Sequence, residues 1–226
     1  MRTKRRLPTE ALAPYLLDVP NPRKLPPDSP RLAKAPAFDF FAVFGNHHPV
    51  AIEIGFGKGL FLQTQGQACP DANFLGIEIE RKYVLLTATR LAKAGLTNVK
   101  VACTDARWFL RERIAPESVA AIHVYFPDPW WKTRHRKRKL LDRDFVELCV
   151  RVLCAGGAFY LKTDVADYFA ESIEMLNDVP GLRSEPTGAD ENSATNFERK
   201  YRKEGRAIYR AVYVKKTVND SAMTTV

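Results

Sequence analysis

Asp128 stands between Pro127 and Pro129, is followed by Trp130 and Trp131, and leads into Lys132 to Lys139, where six of eight residues are Lys or Arg. A carboxylate held by two prolines, beside two large rings and an arm of cations, suits a reactive site next to an anion-binding surface. Cations neutralise phosphates and aromatic rings stack on bases, so the combination points to nucleic acid. A second group of acids lies upstream. Glu53 comes two residues before Gly55 in Glu53-Ile54-Gly55-Phe56-Gly57-Lys58-Gly59, Glu78 closes Gly76-Ile77-Glu78, and Asp105 follows Cys103-Thr104.

Glycines at Gly55 and Gly57 let the backbone turn tightly and a ligand approach closely. The spacing is G-x-G-x-G rather than the G-x-G-x-x-G of dinucleotide sites, and Glu53 would repel a pyrophosphate but attract a cation. Glu78 can accept hydrogen bonds from both hydroxyls of a ribose, and Asp105 can meet an adenine amino group. Three acids with a glycine loop suit a positively charged nucleoside without phosphates, which describes S-adenosylmethionine. For Asp105 alone, a helix cap explains the residue equally well. A dehydrogenase is disfavoured by the glycine spacing and by Glu53.

Such residues need strand ends to hold them. Val50 to Ile54, Phe74 to Ile79, Val99 to Ala102, Ala120 to Phe126 and Gly157 to Lys162 read as strands. Gly59 to Gln67, Arg81 to Ala94, Ala106 to Arg113, Leu141 to Leu153 and Val165 to Asn177 read as helices. The alternation predicts an α/β fold with a doubly wound, mostly parallel sheet, which puts Asp128 at the carboxyl end of its strand, where open sheets bind ligands. Leu182 to Glu185 and Ala207 to Val214 add further strands, the last antiparallel, with an aperiodic loop over Pro186 to Gly205 between them. Eight of the fifteen prolines fall between Pro8 and Pro36, which predicts an extended or disordered basic arm over residues 1–37. One domain over 38–216 and a disordered tail over 217–226 complete the plan.

The 226 residues, 46% hydrophobic, can bury one sizeable core. The net charge of +9 is concentrated at Arg2 to Arg6, Lys132 to Lys139 and Arg199 to Arg210, which favours a polyanion over a neutral partner. No apolar run is long enough to cross a membrane, and prolines rather than an apolar stretch follow Met1 to Arg6, so a cytoplasmic protein is expected. Cys69, Cys103, Cys149 and Cys154 lack metal-ligand spacing and read as reduced structural thiols, and His47-His48 reads as a loop pair without a metal.

Taken with Leu161-Lys162-Thr163-Asp164 and Thr195-Asn196-Phe197-Glu198, these motifs make the chain resemble the bacterial tRNA (guanine-N7)-methyltransferases, class I Rossmann-like enzymes that methylate a variable-loop guanosine. The motifs appear in family order over roughly residues 50 to 215. The resemblance implies that Glu53, Gly55, Gly57, Glu78, Asp105 and Asp128 bind S-adenosylmethionine, with Asp128 the active-site residue. It implies that Lys132, Asp164, Thr195, Asn196, Phe197 and Glu198 bind the substrate and that Arg134, His135, Arg136, Lys137, Arg138 and Lys139 contact RNA. It also implies tRNA as partner, no metal, no membrane, no obligate protein partner, and a monomer or homodimer. Trp131 replaces a proline common in the family, and Asn196 replaces a common lysine. Trp130 is a candidate platform for an extruded base. The alternatives are a methyltransferase acting on another RNA, a small molecule or a protein, and a non-catalytic RNA-binding module.

Overall fold

Val50-Ala51-Ile52-Glu53-Ile54 is apolar on both faces apart from one acid, the pattern of a strand covered by helices on both sides. All five residues are buried in the computed structural model, which describes residues 7–33, 37–128, 139–187 and 195–217. The described chain begins with α1 (Thr9–Leu12), β1 (Leu16–Leu17) and α2 (Phe40–Phe44). Alternation follows through β2 (Val50–Ile54), α3 (Leu60–Ala68), β3 (Asn73–Glu78), α4 (Arg81–Ala94), β4 (Val99–Cys103), α5 (Ala106–Arg113), β5 (Val119–Tyr125), α6 (Arg143–Val152), β6 (Leu153–Thr163) and α7 (Ala166–Asn177). The chain closes with β7 (Leu182–Glu185), α8 (Asn196–Lys203) and β8 (Tyr209–Lys215).

The described strands form one sheet of eight in the order β1-β4-β3-β2-β5-β6-β8-β7. Neighbours from β1 to β6 run parallel, and β8 is antiparallel to both β6 and β7. This is the expected doubly wound sheet with an antiparallel carboxyl-terminal strand. Ile52, Ile77 and Val124 face Phe109, Phe145 and Val152 of α5 and α6, while Ala51 and Tyr125 share the other face with Phe61, Leu62, Val84 and Leu91 of α3 and α4. Each fully buried large side chain contributes ~1.5–3 kcal/mol. Glu53, in step with Ala51, therefore points into the α3 side of the sheet.

Two expectations are corrected. Over residues 7–33 the proline-rich arm is docked rather than loose: Leu16 and Leu17 pair with Val101 and Ala102, and Leu12, Tyr15 and Val19 are buried. Prolines break periodicity but favour short turns, so widely spaced apolar residues can still anchor the segment. The stretch from Pro186 to Gly205 is not all loop, because Asn196–Lys203 is helical. Thr195 caps that helix by accepting the Glu198 amide at 3.0 Å, and two charged turns carry too little apolar pattern to announce themselves. Of the expected tail over 217–226, residues 218–226 lie outside the described residues. Among the described residues no helix is long and apolar enough to cross a membrane.

Candidate active site

The sheet order reverses between β2 and β5, which opens a crevice at the carboxyl ends of the central strands. Five acids emerge there from five parallel neighbours: Glu53 from β2, Glu78 from β3, Asp105 after β4, Asp128 after β5 and Asp164 after β6.

At the first of these ends, Gly55 donates to the Ile77 carbonyl at 2.8 Å and Gly57 to a Glu78 oxygen at 3.0 Å. Gly57 has φ +52°, a conformation that side chains resist, and a Cβ built there would meet nothing within 4 Å, so the space above it is open to a ligand. The other Glu78 oxygen accepts the Ile79 and Glu80 amides at 2.8 and 3.0 Å, so Glu78 holds the loop while one oxygen keeps spare lone-pair capacity.

Glu53 is 3% exposed and its Oε2 has no hydrogen-bond partner among the described residues. Burial, and then the negative charge of Glu78, push its carboxyl up to about 8 against a smaller opposing pull from Lys162. Buried in this way the acid keeps its proton near neutral pH, and a cation placed beside it would favour the ionised form. Open glycines, a buried acid whose Oε2 has no partner among the described residues and a second acid with free lone pairs together fit S-adenosylmethionine.

Asp105 fulfils the capping alternative: its Oδ1 accepts the Trp108 amide at 3.0 Å as the N-cap of α5. Its Oδ2 is taken by Arg23 of the amino-terminal arm, with Nε at 2.7 Å and Nη2 at 2.6 Å.

On the other side of the crevice, Phe126 has φ +50°, a strained backbone state for an aromatic residue that the surroundings must enforce. Its amide donates to the Lys162 carbonyl at 2.7 Å, and its ring packs 6.0 Å from Phe197 and 5.5 Å from Tyr201. The turn delivers Asp128, exposed, two residues later. Asp164 pairs with Arg206, and Phe197, on α8 next to Asn196, is 48% exposed.

Glu198 is 1% exposed with both oxygens engaged. Lys162 lies 3.3 Å from Oε2, and Arg202 and Arg210 lie 2.7 and 2.5 Å from Oε1. Burial pushes its carboxyl up, but Lys162 and the two guanidiniums outweigh that and hold it below the usual range. Glu198 therefore ties α8 to β6 and β8. Thr195 is likewise buried and acts as a cap.

Trp130, Trp131, Lys132, Arg134, His135, Arg136, Lys137 and Arg138 lie outside the described residues. Lys139, the described end of that arm, is 2.7 Å from Glu171 and 4.8 Å from the centre of the Tyr168 ring, so it is engaged with α7.

Sequence reasoning passed over several residues of this site. His123 sits opposite Glu53 in the β2–β5 register, stacks on Tyr160 at 4.6 Å, and has its Nδ1 2.8 Å from the Tyr125 hydroxyl. Burial, reinforced by Lys162, holds it neutral with a pKa near about 3. The signal was a His and a Lys inside strands that otherwise read as apolar. Arg23, Arg206 and Arg210 carried none, since their partners are distant in sequence. A shallow cavity of about 260 Å³ lined by Phe41, His47, Pro49, Glu117 and Cys154 lies at the amino ends of the strands, away from all these acids.

The methyltransferase family model Methyltransf_4 matches residues 47–211. A tRNA (guanine-N(7)-)-methyltransferase of Rhodopirellula baltica is 39% identical over 214 residues, which cover 89% of this chain and 77% of that one. A protein of the same name from Aliivibrio salmonicida is 38% identical over 177 residues, covering 76% and 74%. Among solved structures, the 16S rRNA methyltransferase KamB matches with a TM-score of 0.57 at 13% identity, covering 79% of this chain and 93% of its own, a likeness of fold.

Proposed function

Because this chain belongs to the tRNA (guanine-N7)-methyltransferase family, we propose that it methylates N7 of a variable-loop guanosine in tRNA, in the cytoplasm, using the crevice at the strand ends. The observation that carries this reading is the buried Glu53, its Oε2 without a partner among the described residues, under an open glycine turn, across the crevice from Asp128 and a cation-rich α8. S-adenosylmethionine supplies a methyl group activated on a positively charged sulfur.

Glu53 would face the cationic part of the cofactor, Glu78 would accept from its ribose, and Asp105 from its adenine. Guanine N7 carries a lone pair and no proton, so the protein need not remove one. Positive charge develops on the purine as the bond to N7 forms, and its N1–H and exocyclic amine become better donors. A carboxylate that accepts from them binds the transition state more tightly than the ground state. Asp128 is assigned that task, with Asp164 beside it steadied by Arg206. Phe197 offers an exposed ring to the base, Asn196 lies next to it, and Lys132 with the Arg134 to Lys139 arm grips the RNA backbone. Glu198 acts on the substrate only through the position of α8.

The test is to incubate the protein with unfractionated tRNA and labelled S-adenosylmethionine and digest to nucleosides. Label is expected in 7-methylguanosine, and label elsewhere or nowhere overturns the assignment. Asp128→Ala should lower turnover by roughly a hundredfold to a thousandfold, the scale of losing one preorganised electrostatic group, with thermal stability unchanged. An active Asp128→Ala protein would remove Asp128 from the chemistry.

A further inference from the structure

The amino-terminal arm reaches the cofactor side of the crevice, and it does so through one turn. Thr104, 1% exposed at the end of β4, donates to the Pro20 carbonyl at 2.7 Å and fixes the chain there. Asn21 caps a short turn over Pro22–Lys24 by accepting the Arg23 amide on Oδ1 at 3.1 Å. That turn throws the Arg23 side chain onto Asp105, where Nε and Nη2 both meet Oδ2. Two donors on Oδ2 and the Trp108 amide on Oδ1 fix the plane of the carboxylate and leave lone-pair capacity on Oδ1. Arg23 remains 66% exposed although its end groups are anchored, so the flat face of the guanidinium is available beside the carboxylate. Asn21 is 8% exposed, and its Nδ2 has no partner among the described residues. A buried donor left in that state is costly unless something meets it.

As a fastening for the arm, an ion pair with one exposed partner contributes little. The arm already has β1 pairing, the Lys100 to Pro14 carbonyl bond at 2.7 Å, and the burial of Leu12 and Tyr15 to hold it. We infer that Pro20 to Lys24 form the adenine-side wall of the cofactor site, with Arg23 as a positioning residue that sets the Asp105 carboxylate and covers one face of the base. The inference rests on the reading of Asp105 as the acceptor for the adenine amine. It makes the arm part of the cofactor site rather than only an RNA-facing extension.

The experiment is calorimetry of S-adenosylhomocysteine binding to the full chain and to Arg23→Ala, Arg23→Lys and Asp105→Ala, with unfolding temperatures and tRNA anisotropy in parallel. Arg23→Ala should weaken the ligand roughly fivefold to thirtyfold, the loss of one desolvated cation–ring contact and of the carboxylate's orientation. Arg23→Lys should recover part of the loss, because an ammonium restores the charge but not the planar cover. Unfolding temperature and tRNA affinity should stay close to those of the unaltered chain. If Asp105→Ala weakens binding and Arg23→Ala does not, the inference fails while the reading of Asp105 stands. If Asp105→Ala binds normally, that reading fails and takes the inference with it. A fall in unfolding temperature that accounts for the whole effect of Arg23→Ala would mark the pair as a mere tether and overturn the proposal.

Discussion

Glu53 and Glu198 are both carboxylates removed from water, 3% and 1% exposed, yet the protein surrounds them in opposite ways. Glu198 lies among Lys162, Arg202 and Arg210, all within 3.3 Å, and its proton affinity is lowered. Glu53 has an oxygen without a hydrogen-bond partner among the described residues and holds its proton up to about 8. A buried acid whose counter-charges come from the fold is scaffold. A buried acid whose counter-charge is missing is a socket for a ligand that brings one. Charge around Glu198 is thus balanced by the fold itself, and around Glu53 it is not.

The sharpest way to break this contrast is Glu198→Ala, which removes the buried carboxylate shared by Lys162, Arg202 and Arg210. It should cost about 3–5 kcal/mol of stability in urea unfolding, and a loss under about 1 kcal/mol would show that the cluster is not structural. Glu53→Gln should do the reverse to the ligand-free protein. Its carboxyl keeps a proton to about 8 when folded against an ordinary value of 4.5, so the native state binds more protons between those limits and stability falls as pH rises through them. The substitution should therefore stabilise the free protein by on the order of a few kcal/mol at about pH 9 and leave it unchanged below about pH 4, while weakening S-adenosylmethionine binding most at the higher pH and progressively less as the pH falls.

A smaller effect follows from the same proton. Because a cation favours ionised Glu53, binding should release a proton, and affinity should rise with pH by up to about tenfold per unit until about pH 8. Calorimetry in buffers of different ionisation enthalpy counts that proton, and a value of zero would sink the socket reading. The smallest expected effect separates the two halves by salt. Affinity for tRNA should fall steeply with ionic strength, while affinity for S-adenosylmethionine should change by less than about threefold across the same range. Equal slopes would deny the division.

The parallel strands and their helices were legible because a covered strand is a short apolar run and an amphipathic helix repeats every few residues. Arg81–Ala94 and Ala106–Arg113 fall on their expected limits. The acids at strand ends were legible for the same reason, since they punctuate apolar runs. What stayed hidden depends on pairing across the chain. Nothing local in Asn21-Pro22-Arg23 announces Asp105, and nothing in Tyr209-Arg210 announces Glu198. The T-x-x-E of Thr195 to Glu198 is legible as a helix cap as well as a substrate motif, and its Glu also forms an i,i+4 pair with Arg202. Glu198 shows the limit of motif reasoning: the motif locates a residue at the site and does not say whether it faces the ligand or the scaffold.

The pairing of Leu16 and Leu17 with Val101 and Ala102 has one more consequence. Without β1, β4 would be the margin of the sheet, presenting a row of free amides and carbonyls along an apolar strand that could recruit a second molecule edge to edge. Two residues of strand, flanked by prolines that cannot extend the ladder, close that margin and offer little new margin of their own. A chain shortened to begin at residue 38 should therefore fail first by self-association, in a concentration-dependent loss of soluble protein, before it fails by unfolding.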